Sequence, residues 1–235
     1  MDGIVLVDKP KGWTSFDVVA KLRNLTREKK VGHAGTLDPM ATGLLALFFG
    51  SSTKTISQFV TGNKSYIGEI TLGITTDSLD ADGQVLEENV VDADLSEAAL
   101  IDVFQRFVGE IKQVPPMVSA KHYKGMRLYE LARKGIIVER EAFRTTIHEL
   151  SLQGYTKGQF PKIKFSCACS KGTYVRVLAQ DIGEALGCGA HLSSLRRVYS
   201  HPFSIEQAKT VEEIEKLILN GELSKIALDP QTLLN

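Results

Sequence analysis

Ile163-Lys164-Phe165-Ser166-Cys167-Ala168-Cys169, running through Ser170-Lys171-Gly172 into Thr173-Tyr174-Val175-Arg176, sets two periods side by side. Ile163, Phe165, Cys167 and Cys169 alternate with Lys164, Ser166, Ala168 and Ser170, the period of a half-buried strand. Beyond the Ser170-Lys171-Gly172 turn, Val175, Leu178, Ile182 and Leu186 fall on one face of a helix beginning near Thr173 and ending at Gly187. Outward from this pair, strands and helices mix without the regular alternation of a doubly wound parallel sheet, which predicts an α+β fold. Residues 4–7 read as a strand, and Thr14-x-x-Asp17 as a capping box opening a helix with Val18, Leu22 and Leu25 on one face. Tyr66, Ile70, Leu72 and Ile74 alternate as a strand interrupted at Gly68. Ser96 caps a helix bearing Leu100, Val103, Phe104 and Phe107, and Thr210-x-x-Glu213 opens a last one ending by Gly221.

At 235 residues, with 43% hydrophobic and 24% charged, the chain can bury a sizeable core, and the composition excludes disorder for most of it. No apolar run approaches the roughly 18 residues of a membrane span, and Met1-Asp2-Gly3 enters a strand at once, so neither a span nor a signal peptide is expected. The expected compartment is the cytoplasm. Three cysteines form no disulfide framework. Cys167, Cys169 and Cys188 lack the second ligand pair of a zinc site and read as core residues, so no metal is expected. Asp80-Ala81-Asp82-Gly83 fails as a calcium loop, because Ser78 takes the first position and Asn89 the twelfth, and it reads as a solvated turn.

Gly35-Thr36-Leu37-Asp38-Pro39-Met40-Ala41-Thr42-Gly43 frames one carboxylate between glycines. On spacing alone, Asp38 caps an apolar helix over residues 44–49, with Pro39 at the first helical position. Alternatively the carboxylate faces a substrate. Net charge is zero, 28 basic against 28 acidic residues, yet the distribution is uneven. Residues 65–105 hold ten acids and no Lys or Arg, whereas residues 112–134 hold six basic residues and one acid, Glu130. A solvated face accounts for most charge runs. Here Tyr123, Met126 and Tyr129 interleave with the bases between Pro115-Pro116 and Gly135, a pattern that suits RNA phosphates and bases.

Lys9-Pro10-Lys11-Gly12, the run from Gly32-His33-Ala34-Gly35 through Gly43, Lys64-Ser65-Tyr66, Cys169 through Arg176, and Gly189-Ala190-His191-Leu192 with Leu195-Arg196-Arg197 stand in the order of one family. Together they resemble the TruB family of tRNA pseudouridine-55 synthases, from about residue 3 to residue 234. The resemblance implies a pseudouridine synthase fold: a mixed, mainly antiparallel central sheet flanked by helices. It implies one catalytic domain over residues 1–235 with a basic thumb loop inserted at about 112–140. It further implies a monomer acting on the T-arm of tRNA. Many bacterial members continue into a small C-terminal domain of the PUA type, which the chain is expected to lack. Trp13, where the family commonly has Met, either adds stacking or fills core.

The implied activity is isomerisation of uridine to pseudouridine at position 55 in the T-loop. It breaks the C1′–N1 bond, turns the uracil, rejoins it through C5 and removes the C5 proton, without net redox change and so without a cofactor. By resemblance Asp38 is the catalytic carboxylate, either a nucleophile or the base of a glycal route. Arg176 sits at a helix start, against the macrodipole, which suggests an anionic partner. Asp38 is the one carboxylate in the motif set, so Arg176 is expected to keep it ionised. Tyr174 is implied to hydrogen-bond near it. Tyr66 would stack on the flipped uracil and is a candidate base for the C5 proton. His33 resembles the histidine that fills the space the nucleotide leaves, Leu195 resembles an apolar lid, and Lys9 and Lys64 contact RNA backbone or merely solvent. The rival readings are a non-catalytic tRNA-binding or RNA-folding module and a glycoside hydrolase, the latter lacking an opposed second carboxylate.

Overall fold

The computed structural model describes residues 1–92, 95–119, 122–123 and 125–233. The architecture is α+β, as the mixed periodicity predicts, and the chain divides into two compact units, residues 1–66 with 195–235, and residues 67–194.

In the first unit the strand Gly3–Lys9 lies antiparallel to Thr42–Phe49, from Gly3 opposite Phe49 to Lys9 opposite Gly43. Val31–Ala34 pairs antiparallel with the same strand, and Arg196 and Arg197 pair with Thr42 and Gly43 in parallel. Residues 44–49 are therefore strand, which overturns the helix expected there. Leu45, Leu47 and Phe49 enter a core closed by the helices Ser15–Thr26 and Val211–Leu219, through Val18, Val19, Leu22, Val211 and Ile214. Leu44, Ala46 and Phe48 enter a second core with Ile4, Leu6, Phe59 and Phe203. A strand buried on both faces loses its alternation and reads as a continuous apolar run, which a short sequence window cannot tell from a helix. The expected helix for Asp38 to cap is therefore not there. Gly43 has φ of +98°, and a Cβ there would stand 2.3 Å from Arg197 O, so only glycine allows this pairing.

In the second unit Phe143–Thr156 pairs antiparallel with Lys162–Cys169 on one side and with Gly109–Gln113 on the other. The helices Glu97–Arg106 and Val175–Ala185 start at Ser96 and Tyr174, close to the expected positions. Cys167 and Cys169 are buried in their strand as predicted. Their mutual hydrogen bond, then burial, pushes the Cys167 thiol up from its ordinary value. The strand carrying Tyr66 continues through Gly68, where an interruption was expected, and ends at Leu72. Ile74–Thr76 belongs instead to a hairpin with Val85–Glu88.

The basic segment contains a short hairpin, His122–Tyr123 with Met126–Arg127, and the helix Leu128–Arg133, whose Leu128 and Leu131 are buried. Arg140 donates to Pro115 O at 3.0 Å and ties the two ends of the segment together. Lys121 and Lys124, on which the phosphate-binding reading leans, lie outside the described residues, as does residue 234 at the end of the family resemblance.

Candidate active site

In the first unit Asp38 sits on the connection between Val31–Ala34 and Thr42–Phe49. Leu37, Met40 and Ala41 are buried on either side of it, while Asp38 is half-buried and Pro39 exposed, so apolar anchors hold the carboxylate at a rim. Ser15 Oγ donates to Leu37 O and accepts from Leu37 N, at 3.2 and 2.8 Å. Gly12 N donates to Pro39 O at 2.8 Å, and Ala41 N to Asp38 O at 3.1 Å. The backbone on both sides of Asp38 is therefore fixed before any substrate arrives, the preorganisation that a reacting group requires.

Lys9 departs from expectation. It is wholly buried, and its ammonium donates to Pro10 O, Trp13 O and Pro39 O at 3.0, 2.6 and 3.3 Å. Lys64 is 7% exposed and donates to Gly62 O and Val60 O. Both ammonium groups are largely withdrawn from solvent and donate to main-chain carbonyls, as a buried cation must satisfy its donors internally. Lys9 instead ties the 10–13 turn to the residue after Asp38, and Trp13 packs partly buried on the neighbouring core. Lys9→Met is expected to lower stability by about 1–3 kcal/mol by orphaning carbonyls. Denaturant unfolding should record this loss, and the salt dependence of tRNA binding should not change.

Tyr66, on Lys64–Leu72, and Leu195, on Ala190–Ser200, are both buried. Burial works against the charge of Arg197, and the Tyr66 hydroxyl favours it. His33 is half-buried in Val31–Ala34, and its buried Nδ1 has no hydrogen-bond partner among the described residues. Burial first, and the Arg197 charge second, hold His33 below its usual pKa, so the ring is neutral at neutral pH.

In the second unit Arg176 is 3% exposed in the first turn of Val175–Ala185. Nη1 donates to Ser78 O at 3.0 Å and Nη2 to Val118 O at 2.9 Å, while Asp80 Oδ2 lies 3.5 Å from Nη1. Asp80 is itself buried, accepting from Ser78 Oγ and, at 3.1 Å, from Asp82 N. The solvated turn expected at Asp80 is thus a buried polar junction, and sequence reasoning missed this partner. The signal was available: an Arg at a buried helix start needs a carboxylate, and the acidic stretch 77–82 offers several. The Gln113 side chain clasps the Tyr174 backbone from both sides, accepting from Tyr174 N at 3.0 Å and donating to Tyr174 O at 3.2 Å. The Tyr174 ring meets Phe143 edge-on, with centroids 5.9 Å apart.

The family model for the N-terminal domain of TruB family pseudouridylate synthases matches residues 23–175. That for the tRNA pseudouridylate synthase B C-terminal domain matches residues 176–233. The chain is 46% identical to the tRNA pseudouridine synthase B of Geobacillus thermodenitrificans, over 97% of its own length and 76% of that protein's. Identity to the synthase of Halalkalibacterium halodurans is also 46%, over 99% and 77%. Among solved structures, a chain of a Cbf5-Nop10-Gar1 complex superposes with a TM-score of 0.74 at 28% identity, covering 95% of this chain and 59% of that one. A chain from an H/ACA RNP bound to a substrate RNA containing 2'-deoxyuridine gives 0.70 at 25%, covering 96% and 58%.

Proposed function

The chain belongs to the TruB family of pseudouridylate synthases, and we propose that it isomerises uridine to pseudouridine at position 55 in the T-loop of tRNA. The observation that carries this reading is Asp38: a half-buried carboxylate, capping no helix, on a loop pinned at both sides by Ser15, Gly12 and Lys9. Simple RNA binding has no use for a carboxylate so placed.

In this reading the target nucleotide leaves the stack, since the glycosidic bond is out of reach inside it. Tyr66 supplies the ring on which uracil rests, and Leu195 an apolar wall. The neutral ring of His33 occupies the place the nucleotide vacates. Asp38 acts at the sugar or at the base, by nucleophilic attack or by proton abstraction, and Arg176 and Tyr174 keep the roles their motif implies. The enzyme works as a monomer in the cytoplasm, on the T-arm, as one catalytic domain with its thumb. Isomerisation transfers no electrons to or from an outside partner, so the chemistry calls for no cofactor.

Release of tritium from tRNA labelled at uridine C5 tests the activity directly. Release with wild-type protein and none without it is expected, and tight tRNA binding without release would instead mean an RNA-binding module.

The thumb is tested separately. Replacing Lys121, Lys124 and Arg127 together by Gln should weaken tRNA binding and flatten its log–log salt slope by about 0.7–0.9 for each phosphate that is no longer neutralised. Turnover at saturating tRNA should change much less. An unchanged slope would reduce the segment to a solvated face.

A further inference from the structure

The first turn of the helix Ser15–Thr26 is built onto the Asp38 loop. Ser15 Oγ accepts from Leu37 N at 2.8 Å and donates to Leu37 O at 3.2 Å, and Gly12 N, three residues upstream, donates to Pro39 O at 2.8 Å. On this pinned turn Phe16 is 64% exposed, although a ring of that size is ordinarily core. Val18, Val19 and Leu22 take the inner face of the helix, while Phe16, half-buried Ala20 and Arg23 follow one another at helical spacing along the outer one. A single exposed phenylalanine would need no explanation. The cations farther along the same segment give it one.

Arg23, Asn24, Arg27, Glu28 and Lys29 line an open cleft of about 410 Å³ where the helix ends. Residues 16–30 carry five bases and two acids, and both acids are committed within the protein. Asp17 closes the capping box with Thr14, and Glu28 accepts from the Met1 ammonium at 2.9 Å. Lys21 pairs with Glu215, on the helix Val211–Leu219, at 2.9 Å. Among the described residues, Arg23, Arg27, Lys29 and Lys30 have no carboxylate within ion-pair distance, and all four are exposed. The helix macrodipole favours a cation in the last turn, which accounts for Arg23 but not for the three beyond it. Four like charges within eight residues repel one another, and an anion of several charges relieves that repulsion.

We infer that the outer face of this helix is an RNA-binding surface: Phe16 stacks on an unpaired base near the target nucleotide, and Arg23, Arg27 and Lys29 hold phosphates of the same RNA. This rests on the reading of tRNA as the substrate. A rise of about 1.5 Å per residue puts Arg23 about 10 Å along the axis from Phe16, the rise of about three stacked nucleotides. The two chemistries divide the work, since a ring offers its face to any base and the cations neutralise phosphates without reading sequence. Both ends of the helix lead to the site. Its start is bonded to the Asp38 loop, and Lys29 and Lys30 run directly into Val31–Ala34, the strand that carries His33. Lys9 and Lys64 are buried, and this segment offers exposed cations in their place.

The experiment measures binding of tRNA and of a blunt RNA duplex by the full chain over a salt series. It compares wild type with Phe16→Ala, Phe16→Leu, Phe16→Tyr and a triple variant combining Arg23→Gln, Arg27→Gln and Lys29→Gln. The substituted side chains are exposed, so thermal unfolding should show the fold kept. The triple variant should bind both RNAs more weakly, with the log–log salt slope lowered by about 0.7–0.9 for each phosphate no longer neutralised. Phe16→Ala and Phe16→Leu should weaken tRNA binding about tenfold and leave the salt slope and duplex binding as in wild type, because stacking needs both a ring and an unstacked base. Phe16→Tyr should bind as wild type does. An unchanged slope in the triple variant would overturn the inference and reduce the helix to a solvated face. Phe16→Leu binding tRNA as tightly as wild type would overturn it too, since the position would then need only an apolar side chain. The expected shifts without tritium release would overturn the isomerase reading and leave this surface standing, whereas a wild type that binds no tRNA would overturn both.

Discussion

Asp38→Asn should abolish isomerisation while tRNA binding stays within about tenfold of wild type, because affinity rests chiefly on bonds to phosphate that this carboxylate does not make. The substitution is nearly isosteric, and the backbone hydrogen bonds that fix residues 37–41 use Ser15, Gly12, Lys9 and main-chain atoms, none of which needs the Asp38 charge. The loop should therefore keep its shape, and any loss of turnover reports on chemistry. An amide is neither a nucleophile at C1′ or C6 nor a base for a sugar proton, so the outcome is the same on either route. Residual turnover above a few per cent, measured by tritium release, would remove Asp38 from the mechanism.

Arg176→Lys is expected to lower turnover by about 100-fold with tRNA binding nearly unchanged, since lysine keeps the charge but loses the planar fork. The guanidinium reaches Ser78 O, Val118 O and Asp80 at once, and a single ammonium cannot span all three. Asp80→Asn should produce a smaller fall and should also destabilise the fold, because it removes a buried carboxylate 3.5 Å from the guanidinium. Near-wild-type turnover in Arg176→Lys would show that the fork has no part in catalysis. A fall in thermal stability with unchanged turnover at low temperature would restrict Arg176 to holding segments 78–80 and 118 in place.

Much of this architecture could be read locally. The capping boxes at Thr14 and Thr210 and the Ser96 cap form where the spacing predicts, because each is closed by groups three residues apart. The strand Lys162–Cys169 and the following helix keep their two periods for the same reason. Residues 44–49 went the other way. Their apolar character was plain, but whether the run became helix or strand depended on Gly3–Lys9 and Val31–Ala34 arriving as partners on its edges. No window containing the run alone holds that information.

The site divides along the same line. Asp38, Tyr66, Tyr174, Arg176, His33 and Leu195 are candidates because their motifs resemble those of one family, and their roles are proposals. The surroundings of the cations could not be read from sequence. Lys9 and Lys64, which by sequence contact RNA backbone or merely solvent, are buried and donate to carbonyls. Arg197, in the sequence only one member of a motif, is wholly buried with its donors on Leu44 O and Gly35 O. Asp80 looks like a solvated turn and sits beside Arg176. Sequence by itself determined the α+β class and the helix starts, since these follow from period and cap spacing within a few residues. Tertiary structure alone decided which charges are buried and what each one faces, because burial and pairing join residues scores of positions apart, and the cost of an unpaired charge exists only once water has been excluded.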